Sequence, residues 1–170
     1  TSDDNSVMSH WESTGKSDDW YTPQFVFDAL GCGFDMDVAG KSCSAYCVPA
    51  VRVIESESLS CEWKGFVWMN PPFGGRNALD PWLDKFFTHG NGIALTPDRT
   101  SAPWFQKSWL RAGMVLFTPK IRFMREDGTL GKSPSNGTAL WASGPTAKVA
   151  LLRAQLKGLG IVGLPMKARG

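Results

Sequence analysis

Histidine is nearly absent from this 170-residue chain, which has only His10 and His89. A Ser–His–Asp or Cys–His mechanism needs an imidazole to carry the proton, so a histidine-dependent triad is excluded in practice. Cysteine is scarce too. Cys32, Cys43, Cys47 and Cys61 form no C-x-x-C pair and have no histidine among them. Reduced, mostly buried thiols are expected and no metal is, although Cys43 and Cys47 could share one helical face in a cysteine–zinc module. No apolar run approaches the roughly 20 residues that a membrane-spanning helix needs. The N-terminal segment is polar, with neither a basic n-region nor an apolar h-region. Residues 1–17 read as a flexible leader, and a cytoplasmic protein is expected.

Nucleotide-loop signatures are also missing. Gly-Lys-Ser occurs at 15–17, 40–42 and 131–133, but the glycine that a P-loop needs five positions earlier is replaced by His10, Asp35 and Glu126. Gly158, Gly160 and Gly163 formally fit G-x-G-x-x-G. Pro165 follows too soon for a helix, and no room remains for a βαβ unit. The chain has neither repeats nor a coiled-coil heptad pattern.

What the chain does contain is aromatic bulk and uneven charge. Eight tryptophans and ten phenylalanines suit a bulky core, a base-stacking surface, or both. Residues 1–63 hold 3 basic and 11 acidic side chains, net −8, and residues 64–170 hold 15 basic and 5 acidic, net +10. A basic second half on a nearly neutral protein is what contact with a polyanion calls for.

The apolar rhythm predicts an α/β domain over residues 18–155, followed by a tail at 156–170. Thr22 is expected to cap a helix with Pro23 in its first turn and Phe25, Val26, Ala29 and Leu30 as its stripe. A strand at 34–39 comes next, then a short helix at 42–47 and an extended piece at 51–54. The run 66–69 reads as a central parallel strand. A helix opening at Asp80-Pro81, a strand at 93–96, a helix at 103–111 and a strand at 114–118 complete the regular part. Within the 103–111 helix, Trp104 and Trp109 could serve as core or as a base platform. Strands are expected at 138–142 and 148–152, giving a mostly parallel sheet with antiparallel edge strands.

The chemistry concentrates where the central strand ends, at Asn70-Pro71-Pro72-Phe73. Two prolines remove two backbone donors and stiffen the chain, leaving their carbonyls free to accept. The Asn70 side chain adds another acceptor and Phe73 a flat apolar face. An amino group on an aromatic ring is a poor nucleophile because its lone pair is delocalised. Accepting both of its hydrogens on nearby oxygens draws the nitrogen toward tetrahedral geometry and aims the lone pair outward. In an open α/β sheet, a strand end is also where ligands bind.

These features, in order, resemble the phage-type DNA N-6-adenine methyltransferase (Dam) family over roughly residues 18–145. The matching elements are Trp20-Tyr21-Thr22-Pro23, Asp37-Val38-Ala39-Gly40, Glu57-Ser58-Leu59 before Trp63, Asn70 to Gly74, Leu95 to Thr100, and Trp104-Phe105. The resemblance implies a single-domain, Rossmann-like fold that transfers a methyl group from S-adenosylmethionine to the adenine N6 of double-stranded DNA at a defined site. It further implies that Thr22 and Pro23 hold the methionine end of the cofactor. Asp37 would face its amino group, Ala39 would form part of the cofactor turn, and Glu57 would lie near the adenosine. Asn70 and Pro71 would hold the target amino group beside Pro72, and Phe73 would stack on a flipped adenine. Arg99 and Thr100 would border the DNA. Arg76, Lys107, Arg111, Lys120, Arg122, Arg125 and Lys132 are the phosphate-contact candidates from the basic half, and residues 122–136 are the candidate reading loop.

Three departures from the family pattern stand out. No Gly-x-Gly follows the first strand, Phe replaces the commoner Tyr at 73, and Glu replaces the usual Asp at 57. Other readings are a methyltransferase for RNA or protein glutamine, a non-catalytic DNA-binding relative, and the cysteine–zinc module.

Overall fold

A computed structural model of the chain describes residues 20–41, 48–73 and 77–167. One seven-stranded sheet carries the fold, in the order β2-β1-β3-β4-β6-β5-β7. Its strands are β1 (Phe34–Asp37), β2 (Ala50–Val53), β3 (Val67–Met69), β4 (Gly92–Pro97), β5 (Met114–Phe117), β6 (Thr138–Ser143) and β7 (Ile161–Gly163). Strands β2, β1, β3 and β4 pair in parallel. Strand β6 runs antiparallel between β4 and β5, and β7 runs antiparallel on the outer side of β5. The helices are α1 (Gln24–Leu30), α2 (Asp80–His89), α3 (Pro103–Arg111) and α4 (Pro145–Leu156).

Alternation along the strands divides the core into two layers. Trp68, Ile93, Leu95, Leu116, Leu140 and Ala142 face α1 and α4. Val67, Met69, Ala94, Val115, Ala139 and Trp141 face α2 and α3. A sheet covered by helices on both sides needs apolar residues at every position. Accordingly, β3, β4 and β6 are buried throughout.

Local punctuation sets the helix limits. Proline stands in the first turn of α2, α3 and α4, where its missing N–H has no intrahelical partner to lose. Gly31 and Gly90 end α1 and α2 in left-handed backbone, each returning its N–H to a carbonyl four residues back.

Two expectations are corrected. Residues 148–152 belong to α4 and form no strand. Gly144, at φ 89°, turns the chain and Pro145 opens a helix. Ala147, Ala150, Leu151 and Ala154 then recur at helical spacing on its buried side. Thr22 does not cap α1 through its side chain. Pro23 occupies the cap position, and its carbonyl accepts the Val26 N–H at 3.1 Å.

The final strand β7 falls in the stretch read as a tail, and it accounts for the glycines there. A Cβ on Gly160 would stand 2.1 Å from the Phe117 carbonyl oxygen, so the close approach to β5 requires glycine. The short helix expected at 42–47 and the leader at 1–17 lie outside the described residues. Among the described residues, no helix is long and apolar enough to cross a membrane.

Trp141 ties β6 to β4 across the core. Its fully buried indole N–H donates to the Thr96 hydroxyl at 2.8 Å, and that hydroxyl donates to the Pro97 carbonyl at 3.0 Å. Trp141→Phe removes the donor and leaves a gap, so it should cost about 1–3 kcal/mol in urea unfolding. The double variant Trp141→Phe/Thr96→Val should cost less than the two single losses added together, because both remove the same bond.

Candidate active site

The chain leaves β1 toward β2 on one side of the sheet and leaves β3 toward β4 on the other. That makes the gap beyond the carboxyl ends of β1 and β3 the switch point at which open α/β sheets form a crevice. Asp37, the last residue of β1, lies in register with Trp68 of β3, and the Val38 N–H donates to the Trp68 carbonyl at 3.0 Å. Asn70 follows two residues later, about 7 Å further along the strand direction. On the other side, the Ile54 N–H donates to the Asp37 carbonyl at 2.8 Å. Asp37 is therefore fixed by neighbours on both flanks.

Its carboxylate is buried, with a relative exposure of 5%. Burial pushes its pKa up to about 6, against the weaker lowering effect of the Ala39 N–H, which donates to Oδ1 at 3.3 Å. Gly40 lies directly against the acid. A Cβ there would stand 2.4 Å from Asp37 Oδ2 and 2.6 Å from Val53 Cγ1. Glycine at 40 therefore lets the turn Val38-Ala39-Gly40 pack directly over the carboxylate. A desolvated carboxylate with one backbone donor is suited to a cationic partner.

Beyond β3, Asn70 is half-buried, Pro71 is buried, and Pro72 and Phe73 are exposed. Phe73, 37% exposed, is an aromatic face held in solvent at the crevice mouth. Thr22, buried to 8% exposure, and Pro23 open α1. That helix runs back from the carboxyl end of the sheet to the start of β1, so Thr22 and Pro23 belong to the same end as Asp37 and Asn70. One turn in, Phe27 meets the Trp68 ring edge-on at 4.8 Å.

Glu57 is exposed, in left-handed backbone at φ 57°, at the start of a 3-10 turn, Ser58–Ser60. The buried Trp63 indole holds that turn by donating to the Ser58 carbonyl at 3.0 Å and lies 3.1 Å from the Ser58 hydroxyl. Motif matching passed over Glu55. It follows Ile54 just beyond the end of β2, 18 positions after Asp37, where doubly wound folds carry an acid facing a ribose. An extended piece at 51–54 is readable from the sequence, but the acid-x-Leu pattern points to Glu57 two positions further on.

The basic candidates fall into two groups. Arg99 is half-buried and Thr100 exposed, both just beyond the end of β4. Lys120, Arg122, Arg125 and Lys132 are exposed on the connection 118–137 between β5 and β6, at the same end of the sheet. Arg122 Nε donates to the Gly131 carbonyl at 2.7 Å, and Arg125 donates to the Leu130 carbonyl at 2.9 Å. The Thr129 hydroxyl and amide donate to Asp127 at 2.6 and 2.9 Å, and these bonds hold its carboxyl below the usual range. Arg125 and Arg122 therefore brace the loop's shape while presenting charge.

Lys107 and Arg111, by contrast, face the acids of α2. Lys107 is 3.8 Å from Asp80, and Arg111 is 3.0 Å from Asp84 at the end of α3 away from the crevice. Trp104 and Trp109 are half-buried and pack on the core, Trp109 stacking with Phe117 at 6.1 Å. Arg76, Cys43 and Cys47 lie outside the described residues. No group of three or more metal-ligating side chains occurs among the described residues.

The DNA N-6-adenine-methyltransferase (Dam) family model matches residues 1–142. The chain belongs to that family and is an adenine-specific DNA methyltransferase. No curated protein and no solved structure matches it.

The raised Asp37 pKa fixes the sign of a pH effect. The folded chain keeps the Asp37 proton up to about pH 6, while an ordinary unfolded aspartate releases it near 3.8. Protonation therefore favours folding at low pH, and that advantage is lost as pH rises through 6. Above pH 6 the buried charge opposes folding. Asp37→Asn should raise stability at pH 8 by about 1–3 kcal/mol, and the gain should shrink toward zero by pH 3.8. Denaturant unfolding of both proteins between pH 4 and 8 measures it. A gain that does not vary with pH would refute the burial argument.

Proposed function

We propose that this Dam-family enzyme methylates adenine N6 within a defined sequence of duplex DNA, with Asn70 and the Pro71 carbonyl as the groups that hold the reacting amino group. The observation that carries this reading is the pairing of two strand ends at the switch point. A buried carboxylate on β1 lies one strand away from an Asn-Pro-Pro-Phe turn on β3. The first suits the ammonium of S-adenosylmethionine and the second suits a planar amine.

The donor and acceptor set fits that cofactor. Asp37 offers a desolvated carboxylate to the amino group, and the Ala39–Gly40 backbone offers a close approach. Thr22 and Pro23 close the methionine end, while Glu55 and Glu57 lie beyond β2, within the chain segment that would face the ribose and adenine. When bound, S-adenosylmethionine supplies a methyl already activated on a positively charged sulfur.

The protein's work is then to hold, orient and exclude water. Asn70 Oδ1 and the Pro71 carbonyl each accept one N6 hydrogen, which localises the nitrogen lone pair and aims it at the methyl. Pro72 stiffens the turn, and Phe73 offers its exposed ring to the face of an adenine swung out of the duplex. On methylation N6 would shed its extra proton to solvent, while Asn70 and Pro71 would keep the amino group oriented. No strong base is needed, in keeping with the shortage of histidine. Arg99, Thr100, Lys120, Arg122, Arg125 and Lys132 line the same end of the sheet and suit the phosphate backbone.

Methyl transfer from labelled S-adenosylmethionine to unmethylated DNA, followed by nucleoside analysis, should give N6-methyladenine. Asn70→Ala should lower turnover by about 10²–10³-fold, the scale seen when one oriented polar group is removed from a reacting centre. Affinity for S-adenosylhomocysteine should stay within about threefold. Undiminished turnover in that variant would remove Asn70 from the mechanism.

A further inference from the structure

Trp20 stands apart from both core clusters and is 43% exposed, yet it is closely engaged. Its ring faces the connection 118–137. The Arg125 guanidinium carbon lies 5.3 Å from the ring centroid. Gly131 approaches so closely that a Cβ there would stand 2.4 Å from Trp20 Cζ3.

The next residue is bonded to the same connection. The Tyr21 N–H donates to the Met124 carbonyl at 2.8 Å, and the Met124 N–H donates back to the Tyr21 carbonyl at 2.9 Å. Met124 is also bridged to Leu130, and the Gly131 N–H donates to the Phe123 carbonyl at 2.8 Å. The result is a small antiparallel patch. Its outer rung is Tyr21, and its other two rungs are the arms of the basic hairpin. Burial, and secondarily the Glu126 carboxylate, push the Tyr21 phenol above its usual pKa.

Thr22 and Pro23 follow immediately, so the element proposed to grip the cofactor and the element proposed to read DNA share one hydrogen-bonded unit. We infer that Trp20 is a positioning residue that locks the basic hairpin onto the Thr22-Pro23 segment, making cofactor binding and DNA binding each strengthen the other. The inference rests on the functional reading of those two elements given above. With the Trp20 ring in place, ordering Thr22-Pro23 around a ligand also orders the hairpin arms, and DNA held by the hairpin orders Thr22-Pro23 in return. Such coupling is necessarily reciprocal in binding free energy.

The test measures S-adenosylhomocysteine affinity by calorimetry, for the free enzyme and for the enzyme bound to a duplex containing its mapped site. In the wild type the ligand should bind about fivefold or more tightly to the DNA complex, and DNA should gain the same factor from the ligand. Trp20→Ala should bring the ratio close to one while each separate affinity stays within about threefold. Trp20→Phe, which keeps an aromatic face for Arg125, should retain most of the ratio. In Trp20→Ala, KM for DNA at saturating S-adenosylmethionine should rise by about the lost factor, with kcat nearly unchanged, while at low S-adenosylmethionine it should stay near the wild-type value.

An unchanged ratio in Trp20→Ala, or a wild-type ratio of one, overturns the inference. The underlying reading fails differently. Thr22→Val with unaltered S-adenosylhomocysteine affinity would remove the cofactor premise, and Lys132→Ala with unaltered DNA affinity the hairpin premise. Either would overturn the linkage with it.

Discussion

Everything at the functional end of this molecule hangs on the register between β1 and β3. Asp37 opposite Trp68 brings one strand end alongside another, with β2 on the outer flank of β1 and β4 on the outer flank of β3. A slip by one residue would turn Asp37 from its site and drive a charged side chain into a helix-covered layer. The register is held by side chains that fill opposite layers. Trp68 packs toward α1 through Phe27, while Val67 and Met69 pack toward α2 and α3. The aromatic load of the described residues is therefore chiefly structural, with Trp20, Phe25 and Phe73 the rings left exposed.

Against this apolar frame, the buried Asp37 carboxylate costs the folded chain stability above pH 6. Water is excluded from it, Gly40 closes over it, and Ala39 provides one backbone donor. A leucine or asparagine would suit the position better in the folded chain alone. On the proposed reading the acid is one half of an ion pair whose other half arrives with a ligand, so stability and binding pull in opposite directions at this residue.

Legibility in the sequence followed local chemistry. The limits of α2 and α3 could be read because proline opens each, and glycine stops α2. The buried run ending in Asn70 could be read because a fully covered parallel strand has no polar face. The α4 helix could not. Its stretch Lys148 to Leu152 carries apolar residues on several sides, with Val149 and Leu152 exposed and Ala150 and Leu151 buried, so periodicity alone looked like a strand. Glu55 stands just past the extended piece readable at 51–54, but the acid-x-Leu pattern at 57–59 draws the assignment to Glu57. Candidates that carry a motif can be named from the sequence, while those defined by the end of a strand need the fold.

The basic half of the chain illustrates the same limit. Counting charge gives +10 over residues 64–170 and treats every cation alike. Folding sorts them. Arg111 and Lys107 stand beside acids of α2, whereas Lys120, Arg122, Arg125 and Lys132 share the end of the sheet with Asp37 and Asn70. Even there, Arg122 and Arg125 spend hydrogen bonds on the carbonyls of Gly131 and Leu130. A guanidinium has five donors, so bracing a hairpin leaves others for an anion. Lysine could not do both as well, because its ammonium lacks the planar fork that fixes direction. The two arginines of the hairpin thus brace its shape, and on the proposed reading the same side chains also present donors to phosphate.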